Sequence, residues 1–202
     1  MTFDFSGKRS VVCGSTQGMG KATALLFSEL GAEVILIARN RDSLQDVLSE
    51  LSTSHGQTHD RLCADFSNPD ELKEAISNYA KRNLPIHILV NNTGGPAHGE
   101  IIKSQSDDFL EGFNKHLVCN QFLSQVLIPG MKKEKYGRII NIISTSVKQP
   151  IKGLGVSNTI RGAVASWAKT LSSEVAPYGI TVNNLLPGAT NTERLYSLFE
   201  SI

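Results

Sequence analysis

Apolar residues along this chain gather in short runs, and the stretches between the runs carry apolar positions at helical spacing. Residues 10–13 form one run, closed by Gly14, and Ala22, Leu25, Leu26 and Leu30 then recur with helical periodicity up to Gly31. This predicts a strand, a glycine turn and a helix. Residues 34–38 are rich in β-branched side chains without polar alternation, as a strand buried on both faces requires, and Leu44, Val47, Leu48 and Leu51 form a helical stripe. Residues 62–65 predict a third strand, with Ser67 or Asn68 capping a helix that carries Leu72, Ala75, Ile76 and Tyr79. Strands at 86–91, 138–143 and 180–186 follow, with helices between them at 106–132 and 158–176.

Six strands alternating with helices predict an α/β chain, a Rossmann-type doubly wound parallel sheet with helices on both faces. In such a sheet ligands sit outside the carboxyl ends of the strands. At 202 residues the chain is expected to form one domain, 1–202, with no linker or repeat to divide it.

Composition narrows the partners. The 40% hydrophobic and 19% charged residues exclude a disordered or collagen-like chain, and a formal charge of +1 offers no field to gather nucleic acid. No apolar run approaches the roughly 20 residues that cross a bilayer, so no membrane partner is expected. Asp4 and Gly7 precede any apolar stretch, unlike the order of a secretory signal, and a cytoplasmic location is expected. Cys13, Cys63 and Cys119 are widely spaced and read as small buried hydrophobes. His55 and His59 have helical metal spacing, but Gly56 lies between them and no third ligand follows, so no metal is expected.

The chemistry-bearing stretch is Gly14, Ser15, Thr16, Gln17, Gly18, Met19 and Gly20, lying between the first strand and the first helix. Glycines there allow a tight turn and close backbone approach, so that free amides and the positive helix end meet a pyrophosphate. A Walker loop would need glycine at position 15 and Ser or Thr after Lys21, where Ser15 and Ala22 stand. At the end of the second strand Ala38 stands where an acid would hold a ribose with free hydroxyls. Arg39 follows and can bond a 2′-phosphate, so the charge pattern favours a phosphorylated ribose over one with free hydroxyls.

Four motifs in register, Gly14-x3-Gly18-x-Gly20, Asn91-Asn92-Thr93-Gly94, Gly137-Arg138-Ile139-Ile140-Asn141 and Pro187-Gly188, resemble the short-chain dehydrogenase/reductase family over residues 8–192. The resemblance implies strand order 3-2-1-4-5-6, a nicotinamide dinucleotide and a carbonyl or alcohol substrate. It implies Asp65 and Phe66 beside the adenine, Asn91 and Gly94 in the cofactor groove, and Thr192 reaching the carboxamide through Pro187 and Gly188. Asp65 has an alternative reading as a cap for the following helix. The resemblance also implies a homodimer or homotetramer through the two long helices, with Trp167 buried among small residues. The family's last strand is absent from the sequence, which leaves residues 180–186 expected as an open apolar edge, covered by further chain or by another subunit.

At the catalytic positions the sequence departs from the family. Ser144 keeps the serine role, whereas Ser157 and Arg161 stand in the places of the Tyr-x-x-x-Lys pair and His116 in that of the asparagine. An aliphatic hydroxyl is far less acidic than a phenol, and a guanidinium with a pKa above about 12 exchanges no proton. A histidine ordinarily titrates near neutrality, and His116 is expected either to relay a proton through water to Ser157 or to serve as a structural histidine on a kinked helix. Two functions follow: an NADP-dependent oxidoreductase acting on a 3-oxoacyl-like or sugar-like carbonyl, or a dinucleotide-binding protein with lost catalysis, a sensor or oligomer partner.

Overall fold

The computed structural model describes residues 3–82 and 84–200. Six strands, β1 (Arg9–Cys13), β2 (Glu33–Ala38), β3 (Asp60–Cys63), β4 (Ile88–Asn91), β5 (Gly137–Ile142) and β6 (Ile180–Leu185), form one all-parallel sheet in the order β3-β2-β1-β4-β5-β6. The helices are α1 (Gly18–Glu29), α2 (Arg41–Glu50), α3 (Pro69–Ala80), α4 (Ser106–Phe113), α5 (Cys119–Glu134), α6 (Gly155–Val175) and α7 (Glu193–Glu200). The order reverses between β1 and β4, which opens the crevice expected at the carboxyl ends of these strands.

Alternate residues of β1 face opposite layers. Val11 and Cys13 join Leu72 and Ile76 of α3 and Leu123 and Leu127 of α5, while Val12 joins Ala24 of α1 and Leu44 and Val47 of α2. Each fully buried Leu or Ile contributes about 1.5–3 kcal/mol, so the two layers together fix the sheet. Asn40 caps α2 by accepting from the Ser43 amide at 2.8 Å, and Asn68 rather than Ser67 caps α3.

Three local expectations are corrected. The buried face of α1 is Gly20, Ala24 and Ser28, not the leucine stripe, and Leu26 is 52% exposed. Small side chains at that spacing let the helix lie close to the sheet, which large ones would prevent. The long helix expected at 106–132 is broken by a π turn at Asn114–Val118, which carries His116. The third strand ends at Cys63, so Asp65 lies in the loop beyond it.

Cys13 and Cys119 are buried and burial pushes their thiols up, that of Cys119 to about 12, whereas Cys63 is only partly buried. Trp167 is partly buried rather than enclosed, and its indole N–H donates to Gln121 Oε1 at 2.8 Å. Both ring nitrogens of His59 are engaged, Nδ1 by the Val34 amide and Nε2 by the Ser52 carbonyl. At the β6 edge buried Ile180 and Val182 alternate with exposed Thr181 and Asn183, so the edge strand alternates instead of being uniformly apolar. Among the described residues no helix is long and apolar enough to cross a membrane, and no group of three or more His, Cys, Asp or Glu could hold a metal ion.

Candidate functional site

The loops after β1, β2, β3, β4, β5 and β6 enclose a cavity of about 490 Å³, within the range of small-molecule sites. The glycine turn forms one wall. Gly14 and Gly18 adopt φ of +57° and +53°, a region that favours glycine, and a Cβ on Gly20 would stand 2.1 Å from the Gly14 carbonyl oxygen. Asn92 locks this turn from the far side, its Nδ2 donating to the carbonyls of Cys13 at 3.3 Å and Gly14 at 3.2 Å. Helix α1 starts after Gln17 with no side chain capping its first turn, and Thr16, Gln17, Gly18 and Met19 at that start line the cavity.

Farther along the crevice Ala38, Arg39, Asp65 and Phe66 line the wall, and β2 ends without an acid. Asp65 does not cap α3. Its Oδ1 accepts from the Ser67 amide at 2.8 Å, and that bond, with a smaller contribution from the Arg39 charge, holds the carboxyl below its usual range. Arg39 is exposed and lines the same wall, whereas Arg41 lies within α2.

At the opposite end stand Ser144, Ser157, Arg161, Gly94, Pro187, Gly188 and Thr192. Ser144 Oγ accepts from the Ser146 amide at 3.1 Å, which leaves its own O–H proton to donate elsewhere. Ser157 is buried in the first turn of α6, and Arg161 follows one turn later on the same face. Arg161 Nη1 donates to the Ile142 carbonyl at 2.8 Å. Desolvation, and then the nearby Arg194 charge, pull the Arg161 guanidinium down to about 10. No tyrosine lines the cavity among the described residues.

Four residues expected to touch a ligand stand behind the wall instead. Ser15 is buried and donates to the Ile37 carbonyl at 3.4 Å, and Gly20 packs on Gly14. Asn91 turns into the sheet, where an amide ladder runs from its Nδ2 to Asn141 Oδ1 at 2.8 Å and from Asn141 Nδ2 to Asn184 Oδ1 at 2.9 Å. His116 is buried on the π turn, and burial, with the Arg161 charge, lowers its imidazole well below the ordinary value, so at neutral pH it holds no proton to give as a cation. Asn92, Gly95, Lys115 and Arg194 line the cavity and were not singled out from the sequence. Asn92 adjoins Asn91 in the same motif, and strand alternation on its own would have turned one of the two toward the loop.

The sequence matches the short chain dehydrogenase family over residues 8–201. It is 35% identical over 196 residues to a glucose 1-dehydrogenase of Gluconobacter oxydans, which covers 93% of this chain and 71% of that protein. It is 31% identical over 183 residues, 90% of this chain, to a human protein named inactive hydroxysteroid dehydrogenase-like protein 1. The chain spans about half of that relative's length, 55%. Among solved structures, L-sorbose reductase of Gluconobacter frateurii, complexed with NADPH and L-sorbose, superposes with a TM-score of 0.89 at 28% identity, covering 96% of this chain and 73% of that one.

Proposed function

Because this chain belongs to the short-chain dehydrogenase family, we propose that it binds NADP(H) across the β1/β4 crevice and interconverts a carbonyl and an alcohol. The observation that carries this reading is the uncapped first turn of α1, which opens on one cavity together with Arg39 at one end and Ser144 and Ser157 at the other. The donor set fits a dinucleotide: free amides at a helix start suit a diphosphate, and a guanidinium without an acid at the end of β2 suits a 2′-phosphate. That the sorbose reductase named above is complexed with NADPH supports the same choice.

A nicotinamide dinucleotide held by these residues would supply the hydride for a carbonyl carbon, leaving a proton to reach the oxygen to complete the alcohol. Ser144 donates its free O–H to the substrate oxygen, and Ser157 presents a second hydroxyl on the opposing helix. Arg161 places a positive charge where the oxyanion develops and bonds the ribose. His116 keeps a positioning role: it fixes the π turn beside Gly94, whose backbone bonds its ring. The proton then comes from solvent through Ser157, a poor relay, and reduction is expected to be slow.

A second reading, binding without useful turnover, is favoured by the absence of a phenol from the described cavity wall, on which the ammonium of Lys115 is held by Glu111. Calorimetric titration with NADPH and NADH, followed by loss of reduced nucleotide on a panel of ketones and aldehydes, separates the two. NADPH binding with turnover that falls on Ser144→Ala supports catalysis. Binding with no turnover supports the second reading, and the absence of nucleotide binding overturns both.

A further inference from the structure

A second cavity, of about 350 Å³, adjoins the first and shares two residues with it, Gly95 and Lys115. Val156 lines the second cavity and its neighbour Ser157 lines the first, so both open on the start of α6. Gly95 stands at the junction. A Cβ there would meet Nη2 of Arg161 and Nη2 of Arg194 at 3.4 Å, so a bare backbone leaves the junction open.

The outer wall, residues 96–104, is fastened to the loop before α6. The Gly99 amide donates to the Gly153 carbonyl at 2.7 Å, and the Gly155 amide donates to the Gly99 carbonyl at 3.2 Å. His98 lies on Gly153, where φ is +77° and a Cβ would stand 2.1 Å from Nε2 of the ring. That contact holds the imidazole at the cavity, and the ring makes no hydrogen bond among the described residues.

Charge decides what such a cavity takes. Its two lysines are each matched by an acid, Lys103 by Glu100 at 2.7 Å and Lys115 by Glu111. The third acid, Asp108, accepts from the Gln105 amide through Oδ2 at 2.8 Å. The cavity is thus close to neutral, which favours neither an anion nor a cation. Yet Glu100, Asp108 and Glu111 each keep a carboxylate oxygen without a hydrogen bond among the described residues. An ionised carboxylate only accepts, so these oxygens call for donors, and hydroxyl groups bond to them strongly. An apolar chain laid against the same wall would strip water from those oxygens and return nothing.

We propose that the second cavity is a hydroxyl-binding subsite, and that the substrate is a neutral polyhydroxylated carbonyl compound. It sets its carbonyl against Ser144 and Ser157 and passes its hydroxyls over Gly95 toward His98, Glu100 and Asp108. The placement of the carbonyl rests on the dinucleotide reading, whereas the subsite stands on the second cavity itself.

Titration of the full chain with open-chain alcohols tests this, by calorimetry and by the NMR signals of the His98 imidazole, with and without saturating NADPH. Alcohol with reduced nucleotide cannot turn over, so binding is read alone. The probes are the hexitols sorbitol and mannitol, the short triol glycerol, and 2-hexanol, which has the hexitol's length without its row of hydroxyls. A hexitol is expected to bind at least about ten-fold tighter than glycerol or 2-hexanol, the weak end of one charge-assisted hydrogen bond, and to shift the His98 signals. His98→Ala identifies those signals, and it and Glu100→Leu are each expected to erode the preference for the hexitol while leaving glycerol where it was.

Hexitols bound no tighter than glycerol overturn the proposal, as does 2-hexanol bound as tightly as a hexitol. A preference for hexitols that survives both substitutions, with the His98 signals unmoved, also overturns it, because the hydroxyls then lie elsewhere. NADPH binding that persists in these cases leaves the dinucleotide reading intact. Hexitol preference with shifted His98 signals but no NADPH binding overturns the dinucleotide reading and leaves the subsite standing.

Discussion

Arg161 Nη1 donates to the carbonyl oxygen of Ile142 at 2.8 Å, and so ties the second turn of α6 to the end of β5. The guanidinium is therefore spent partly on structure, and the position one turn earlier offers only the weakly acidic Ser157. Restoring a phenol and an ammonium together, Ser157→Tyr with Arg161→Lys, supplies a group with an ordinary pKa near 10 and a cation to bring it toward neutrality. Carbonyl reduction is expected to rise on the order of 10²-fold, the lower range for a positioned acid. Either change by itself is expected to give much less, since such groups act as a unit. Loss of reduced nucleotide on a fixed ketone measures all three variants.

Under the proposed reading Arg39 is the residue expected to set the nucleotide preference. It is exposed at the cavity wall, so its charge-assisted bond to a 2′-phosphate belongs at the weak end of the usual 1.5–3 kcal/mol, about ten-fold in affinity. Arg39→Ala should raise the NADPH dissociation constant by roughly that factor and leave NADH unchanged. An equal effect on both nucleotides would remove the phosphate from the account.

The parts of this fold that could be read from the chain are those that local chemistry dictates. The β-branched runs of β2 and β4 are buried on both faces in any packing, and the turn at Gly14 and Gly18 needs glycine for its own backbone. The buried face of α1 was not legible, because it is chosen by closeness to the sheet and its residues, Gly20, Ala24 and Ser28, carry little apolar surface. Nor was the pairing of Arg161 with Arg194. One lies on α6 and the other on α7, and only the return of the chain after β6 brings them to Gly95. The motif signals led to Asn91 as a groove residue, whereas the sheet turns it toward Asn141 and leaves Asn92 to hold the glycine turn.

The Asn91–Asn141–Asn184 ladder crosses β4, β5 and β6 in register at the crevice floor. Asn141 both accepts from one neighbour and donates to the other. Asn141→Ala strands the buried amide of Asn91, whose Oδ1 already has no partner among the described residues. The loss should be about 1–3 kcal/mol, seen as a lower denaturant midpoint at unchanged slope.

Gly20→Ala tests the glycine turn apart from any charge. A Cβ there meets backbone, 2.1 Å from the Gly14 oxygen, which cannot swing aside as a side chain would. Nucleotide affinity should be lost together with about 1–3 kcal/mol of stability. Gly130→Ala, inside α5 with nothing within 4 Å of the added carbon, should leave nucleotide affinity unchanged and add about 0.5–1 kcal/mol of stability.

His116 gives a pH signature that separates structure from proton transfer. Burial holds its imidazole well below the ordinary value of 6.5, so between those two values the unfolded chain binds a proton that the folded one refuses. Stability therefore rises with pH through that window and is lost as the pH falls below about 6.5, by at most about 1.4 kcal/mol per unit for this one group. His116→Asn removes the group and should flatten the slope between pH 7 and 5, leaving the smaller dependence due to His87, whose ring burial shifts the same way. Thermal melts across that range read the difference. If the variant keeps the full slope, the imidazole is protonated in the folded protein, and a proton-donating role for His116 returns.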